Sequence, residues 1–274
     1  MASEPQGGPP LTTPELGVVG LGRMAQALLW PLIEAGRVSR QGIRAVVATT
    51  ASAERLAAAH QLAVGTDAAV AWRAPVVLLA VKPQQLDAVA AAVPPGSSGL
   101  LISVLAGVTL ERLQRLLPGW RCVRAVPNTP ALVRQGLTGL AFLDSVTAAE
   151  RQWVISLFAQ VGEVVELPQA QLDGFLALTS SGPAFVALVA EALADGAVAA
   201  GLPRVLAQRM AHRTLAGTAA LLQEQELHPA ALKDMVSSPG GTTMAGLRQL
   251  ERQGLRSALI EAVLAAAERS RELA

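Results

Sequence analysis

The sequence predicts an α/β protein in two parts, a doubly wound sheet over residues 15–167 followed by an all-α region over 168–274. Two patterns carry that reading. As far as Leu167, short apolar β-like runs alternate with longer Ala/Leu-rich segments; after Pro168 the β pattern stops and helical spacing takes over. A hydrophobic fraction of 51% over 274 residues supplies enough apolar surface for such cores and excludes general disorder.

In order along the chain, residues 1–14 (MASEPQGGPPLTTP) lack the basic start and apolar core of a signal peptide and read as a flexible leader. Strands are expected at 16–20, 43–48, 75–81, 99–105 and 120–126, with helices between them at 23–35, 52–60, 84–92 and 109–117. The strands are continuous apolar runs, as in a parallel sheet covered on both faces. Pro31 predicts a kink in the first helix, because it lacks the N–H an unbroken helix would use. A strand at 136–143 and a helix at 148–160 complete this part.

Helical patterning then runs over 170–200, 203–222, 229–235 and 243–272. The breaks are Gly201-Leu202-Pro203, His228-Pro229 and Ser238-Pro239-Gly240-Gly241. Apolar and small residues occupy most faces of the first segment, which predicts burial against another copy of the chain. Its most apolar stretch, Pro183 to Leu202, contains Glu191 and Asp195. Each carboxylate would cost about 2.5–3.5 kcal/mol at a bilayer centre, so a helix buried in protein is expected there, not a membrane span.

Charge and cysteine content narrow the function. Twenty-two basic residues against 21 acidic ones give no general electrostatic case for nucleic acid or an anionic membrane. Lys82 and Lys233 are the only lysines, so a Schiff-base mechanism has two candidates. Cys122 stands alone, which forbids an internal disulfide, and no Cys/His spacing fits zinc; no metal and a cytoplasmic setting are expected.

The first chemical signal is Gly20-Leu21-Gly22-Arg23-Met24-Ala25, a GxGxxA turn between the first strand and its helix. Gly20 permits the turn, Gly22 lets a pyrophosphate approach the backbone, and Ala25 allows close helix packing. An ordinary Gly-rich turn would look similar. At the end of the second strand, Thr49, Thr50, Ser52 and Arg55 supply hydroxyls and a cation without an acidic strand-end residue. That favours the 2′-phosphate of NADP(H), with NAD(H) possible; a solvated Arg55 is the plain alternative, and Glu54 stands close by. Ala80-Val81-Lys82-Pro83 and Val104-Leu105-Ala106-Gly107 follow further strands, where doubly wound folds bind ligands, though the first could be a simple polar turn. In Pro127-Asn128-Thr129-Pro130, a rigid turn and a site residue are equally good readings.

The strongest signal is Ser237-Ser238-Pro239-Gly240-Gly241-Thr242-Thr243, lying between two helices. Adjacent glycines let N–H groups converge, a helix N-terminus favours an anion, and the hydroxyls add donors. A carboxylate site results, unless Thr242 or Thr243 is only a helix cap. The segment Ala177 to Phe185 opens a long helix with small residues, and a close packing contact would explain it equally.

Together these motifs resemble the Δ1-pyrroline-5-carboxylate reductase family. The resemblance is carried by GVVGLGRMA at 17–25, AVKP at 80–83, the 104–107 loop, RAVPNTPALV at 124–133, SGPAF at 181–185 and HPAALKDMVSSPGGTTMAGLRQLE at 228–251. It implies an N-terminal Rossmann-like domain, an all-α dimerisation domain and NAD(P)H-dependent formation of L-proline from a cyclic imino acid. It also implies a homodimer whose subunits share active sites, within a larger ring. Carboxylate binding then falls to Gly241, Thr242 and Thr243, with Ser238 a further contact. Thr243 also hydrogen-bonds the ring nitrogen. Glu226 matches a position near the substrate amine, although a solvated helix-end carboxylate would look the same.

The chain departs from the family pattern at Ser180 and Phe185, where Gly and Tyr are usual, and at Ala68, where Asn commonly follows the Asp. No tyrosine is present, which excludes a phenolic acid. Two other readings stand beside this one: a β-hydroxyacid-dehydrogenase-like oxidoreductase, and a non-catalytic NADP(H)-binding regulator. The first typically uses an interdomain lysine, and none occurs between Lys82 and Lys233; the intact SSPGGTT loop opposes the second.

Overall fold

A computed structural model describes residues 15–273; the expected leader over 1–14 lies outside them. The chain forms two compact units, residues 15–180 with 267–273, and residues 181–266.

The first unit is built on eight strands: β1 (Leu16–Val19), β2 (Ile43–Val46), β3 (Ala63–Gly65), β4 (Val76–Leu79), β5 (Gly99–Ser103), β6 (Trp120–Val126), β7 (Gly136–Phe142) and β8 (Gly162–Glu166). They lie in the order β3-β2-β1-β4-β5-β6-β7-β8. The helices between them are α1 (Arg23–Glu34), α2 (Thr50–His60), α3 (Ala68–Trp72), α4 (Leu86–Ala91), α5 (Leu110–Leu116) and α6 (Ala148–Phe158), followed by α7 (Leu172–Thr179). Pro31 lies within α1, which continues three residues beyond it.

A parallel sheet was expected from the alternating strands, and the structure has one exception: β7 runs antiparallel to β6, with Val123 opposite Phe142. Only residues 127–135 join these strands, as a 3₁₀ turn with no crossover helix. A parallel return needs a dozen or more residues, so the short connection forces the reversal. Two strands absent from the sequence reading, β3 and β8, form the sheet's edges. Each is short and partly exposed, so neither carries the continuous apolar run of a central strand.

Two apolar clusters pack the two faces of the sheet, one around Val18, Leu29, Ile102 and Phe158, the other around Leu79, Leu101, Val126 and Leu172. Cys122 is in the second. Burial pushes its thiol up to about 12, which makes it an inert apolar side chain at neutral pH. Its neighbour on the same strand face, Arg124, is also buried but charged; its Nη2 donates to Asp173 Oδ1 at 3.1 Å.

The second unit comprises α8 (Gly182–Ala199), α9 (Arg204–Glu224), α10 (Pro229–Met235), α11 (Thr242–Arg252) and most of α12 (Leu255–Glu272). The single helix expected over 170–200 is two, because Pro183 has no N–H to donate to the Thr179 carbonyl and a new helix starts there. The helix expected over 243–272 also divides, at Gly254, which adopts φ +73°. The residues that α8 and α9 bury against each other are chiefly Ala194, Ala207 and Ala211. Large apolar side chains, including Val186, Leu188, Leu193, Ile260 and Leu264, remain exposed. By length and composition Gln169–Ala199 would pass for a membrane-crossing segment. It is broken at Pro183 and carries Asp173, Glu191 and Asp195.

Candidate active site

A cavity of about 580 Å³ opens at the carboxyl ends of β1, β2 and β4. The strand order reverses between β1 and β4, so the cavity lies at the topological switch point, where doubly wound sheets bind ligands. Of the residues expected at a cofactor, Gly20, Leu21, Gly22, Ser52, Arg55, Ala80, Val81 and Lys82 line it. Arg23, Met24, Thr49, Thr50, Pro83 and Ala106 do not.

Gly20 is required by its backbone. It adopts φ +92°, and a Cβ there would lie 2.7 Å from the Ala80 carbonyl oxygen. Gly22 is the N-cap of α1, with no side-chain cap bond, and a Cβ there would meet nothing within 4 Å among the described residues. With no capping side chain, the first-turn N–H groups of α1 are left for an anion such as a pyrophosphate. Thr49 organises this rim without lining it: its hydroxyl caps α2 by accepting from the Ser52 N–H at 3.3 Å, and donates to Ser52 Oγ at 2.9 Å. Among the described residues, no carboxylate lines the cavity, and neither Arg55 nor Lys82 enters an ion pair. Two unpaired cations and a free helix N-terminus fit a polyanionic dinucleotide.

The second group of expected residues lies in the other unit. Gly241 is the N-cap of α11 and its N–H donates to the Ser238 carbonyl at 2.9 Å, closing a tight loop through Gly240 at φ +71°. Thr242 and Thr243 are the first two residues of α11, and no side chain caps that helix. A threonine cap is thereby excluded. The loop offers free N–H groups and two uncommitted threonines at a positive helix end, which suits a carboxylate. Glu226 is not part of this loop; it lies exposed between α9 and α10, at φ +48°.

Comparison with known proteins covers both parts of the chain. Residues 169–273 match the family model described as pyrroline-5-carboxylate reductase dimerisation, and residues 15–107 match NADP oxidoreductase coenzyme F420-dependent. The chain is 46% identical over 261 residues to the pyrroline-5-carboxylate reductase of Synechocystis sp., covering 94% of this chain and 98% of that protein. The chain belongs to the pyrroline-5-carboxylate reductase family. It is 40% identical over 264 residues to pyrroline-5-carboxylate reductase 3 of Macaca fascicularis, covering 95% of this chain and 96% of that one. A crystal structure of Plasmodium falciparum pyrroline carboxylate reductase with NADP bound matches with a TM-score of 0.87 at 28% identity, over 95% and 98% of the two chains.

Within this reductase fold, several lining residues escaped the sequence reading: Val47, Ala48, Thr66 and Gln85. Thr66 follows the unrecognised strand β3. Gln85 is brought to the rim by a 3₁₀ turn after Lys82, and its Oε1 accepts from the Lys82 N–H at 3.3 Å. Ala68, one of the departures from the family pattern, also lines the cavity, while Asp67 beside it caps α3 through the Ala69 N–H at 3.0 Å.

Asn128 has a structural role. It is buried; its Nδ2 donates to the Thr179 carbonyl at 2.9 Å, and its Oδ1 accepts from the Leu137 N–H at 2.8 Å. The Thr179 carbonyl is the one Pro183 leaves without a helical partner, so Asn128 replaces the missing bond. Ser180, where the family usually has glycine, adds a bond from its Oγ to the Pro127 carbonyl at 3.3 Å. Asn128→Ala should cost about 1–3 kcal/mol for each buried group left unpaired. Urea unfolding checks this; an unchanged midpoint together with lost turnover would make Asn128 a substrate ligand.

Proposed function

We propose that the chain catalyses the NAD(P)H-dependent reduction of Δ1-pyrroline-5-carboxylate to L-proline, the last step of proline biosynthesis. The observation that carries this is family membership across 94% of the chain. The switch-point cavity and the uncapped start of α11 agree with it. The chain is an oxidoreductase acting on a C=N bond, and its substrate is a small cyclic imino acid.

The division of labour follows the two parts read from the sequence, 15–167 for the cofactor and 168–274 for substrate and subunit contact. Gly20, Leu21, Gly22, Arg23 and Met24 bring backbone N–H groups and the start of α1 to the pyrophosphate. Ser52 and Arg55, on a rim set by Thr49 and Thr50, take the 2′-phosphate. Ala80, Val81, Lys82, Pro83 and Ala106 border the remainder of the dinucleotide. When bound, the reduced nicotinamide supplies the hydride. Ser238, Gly241, Thr242 and Thr243 hold the substrate carboxylate at the start of α11, and the Thr243 hydroxyl accepts from the protonated ring nitrogen. Glu226 stands by the substrate amine. Fixing a protonated imine this way leaves little acid–base work to do.

The exposed apolar faces of α8 and α12 are covered by a second copy of the chain, and such dimers assemble into a larger ring. The enzyme is read as cytoplasmic. Light scattering should find no species smaller than a dimer; an active monomer would refute the interface.

Steady NADPH oxidation in the presence of pyrroline-5-carboxylate is the direct test, and oxidation of 3-hydroxy acids with NADP instead would overturn the reading. NADPH should exceed NADH in kcat/KM. Arg55→Ala should remove about tenfold of that preference, the worth of one charge-assisted hydrogen bond. Equal use of both cofactors by the unmodified enzyme would exclude a 2′-phosphate role for this rim.

Thr243→Ala should slow kcat by about 10- to 150-fold, from loss of a hydrogen bond worth roughly 1.5–3 kcal/mol in the transition state. Because the N-cap of α11 is Gly241, melting temperature and NADPH affinity should stay unchanged. A loss of about 0.5–2 kcal/mol in stability with full turnover would instead return Thr243 to a capping role.

A further inference from the structure

Gly107 lies in the loop between β5 and α5, and its φ is +72°. A Cβ on Gly107 would lie 2.8 Å from Leu273 Cβ and 3.1 Å from the Ser270 carbonyl oxygen. The last turn of α12 and Leu273 after it are therefore seated directly on this loop. In the sheet β5 adjoins β4, so residues 104–107 stand beside the Ala80–Lys82 rim of the cofactor cavity.

What holds the turn there is polar and buried. Ser270 is 3% exposed, and its Oγ donates to Asp173 Oδ1 at 2.8 Å. The same oxygen accepts from Arg124 Nη2 at 3.1 Å. Arg124 is 1% exposed and registers with Ser103, the residue from which the loop departs. Its Nε has no partner among the described residues, and Asp173 is the charge that makes this guanidinium tolerable in the core. The carboxylate is consequently fixed, and it presents a fixed acceptor to Ser270.

We propose that Ser270 is a positioning residue: bonded to the Asp173–Arg124 pair, it holds the C-terminal turn against Gly107 and keeps the β5–α5 loop in the shape that receives the cofactor. The proposal rests on the reading of Ala106 as a cofactor contact. Cofactor affinity then depends on a hydroxyl close to the C-terminus that touches neither nicotinamide nor phosphate.

The test uses Ser270→Ala and, separately, a chain lacking residues 273–274, which removes the Leu273 contact with Gly107 but leaves the Ser270 hydrogen bond. Amide hydrogen exchange of a peptide spanning 104–108, followed in the cofactor-free enzyme, should be about tenfold faster in both. The NADPH dissociation constant should rise about three- to tenfold, with kcat within about twofold of the unmodified enzyme. Unchanged exchange at 104–108 in both variants would overturn the proposal. So would faster exchange with unaltered NADPH affinity, because the loop would then not receive the cofactor. Failure of the unmodified enzyme to bind NADPH would defeat the functional reading itself, and the exchange comparison would still decide whether Ser270 holds the loop.

Discussion

A guanidinium that is 1% exposed in the middle of a sheet needs a counter-charge, and that need organises much of the first unit. Arg124 lies on β6, beside the residues that pack the second face of the sheet. Asp173 answers it from α7, and Ser270 shares the same carboxylate oxygen from the end of α12. Gln169, just before α7, adds a bond from the Leu110 N–H at the start of α5 and one to Glu111 Oε2. The Gln169 bond holds the Glu111 carboxyl below its usual range, helped by the charge of Arg124. One buried cation thus gathers a strand and the ends of two helices, and Gln169 ties the start of α5 to the segment before α7.

A second polar requirement acts a few residues later. Pro183 begins α8 and deprives the Thr179 carbonyl of its helical donor. Asn128, from the loop after β6, fills that vacancy and also satisfies the Leu137 N–H at the start of β7. The short loop that reverses the sheet and the helix break before the second unit are therefore the same problem solved once. Buried polar groups here fix geometry that apolar packing, which has no direction, would leave free.

The switch-point cavity obeys the opposite rule, since its rim carries groups left unsatisfied. The first turn of α1 has no acidic residue and no side-chain cap, and Arg55 and Lys82 lie on its rim. The start of α11 likewise has no cap bond. The second unit carries a further unmet demand, because a core of a few alanines leaves large apolar side chains in solvent. Positive helix ends and apolar faces left open in the single chain are the marks of a protein completed by its ligands and by another subunit.

By itself the sequence determined the α/β class, the central strands, the glycine turn and the family. Those features are written in local signals: continuous apolar runs, glycines at a strand–helix junction, and the long motif ending in HPAALKDMVSSPGGTTMAGLRQLE at 228–251. Tertiary structure alone decided the direction of β7, the two edge strands, the division of the long helices, and the uses of Asn128, Arg124 and Ser270. An edge strand is exposed on one side and so lacks the apolar run that marks a buried one. A carbonyl freed by proline finds its donor 51 residues away in sequence, and a buried arginine finds its carboxylate 49 residues away. Pairings of that kind arise only when the chain closes on itself, because the partner is chosen by proximity in the folded core and leaves no mark in local spacing.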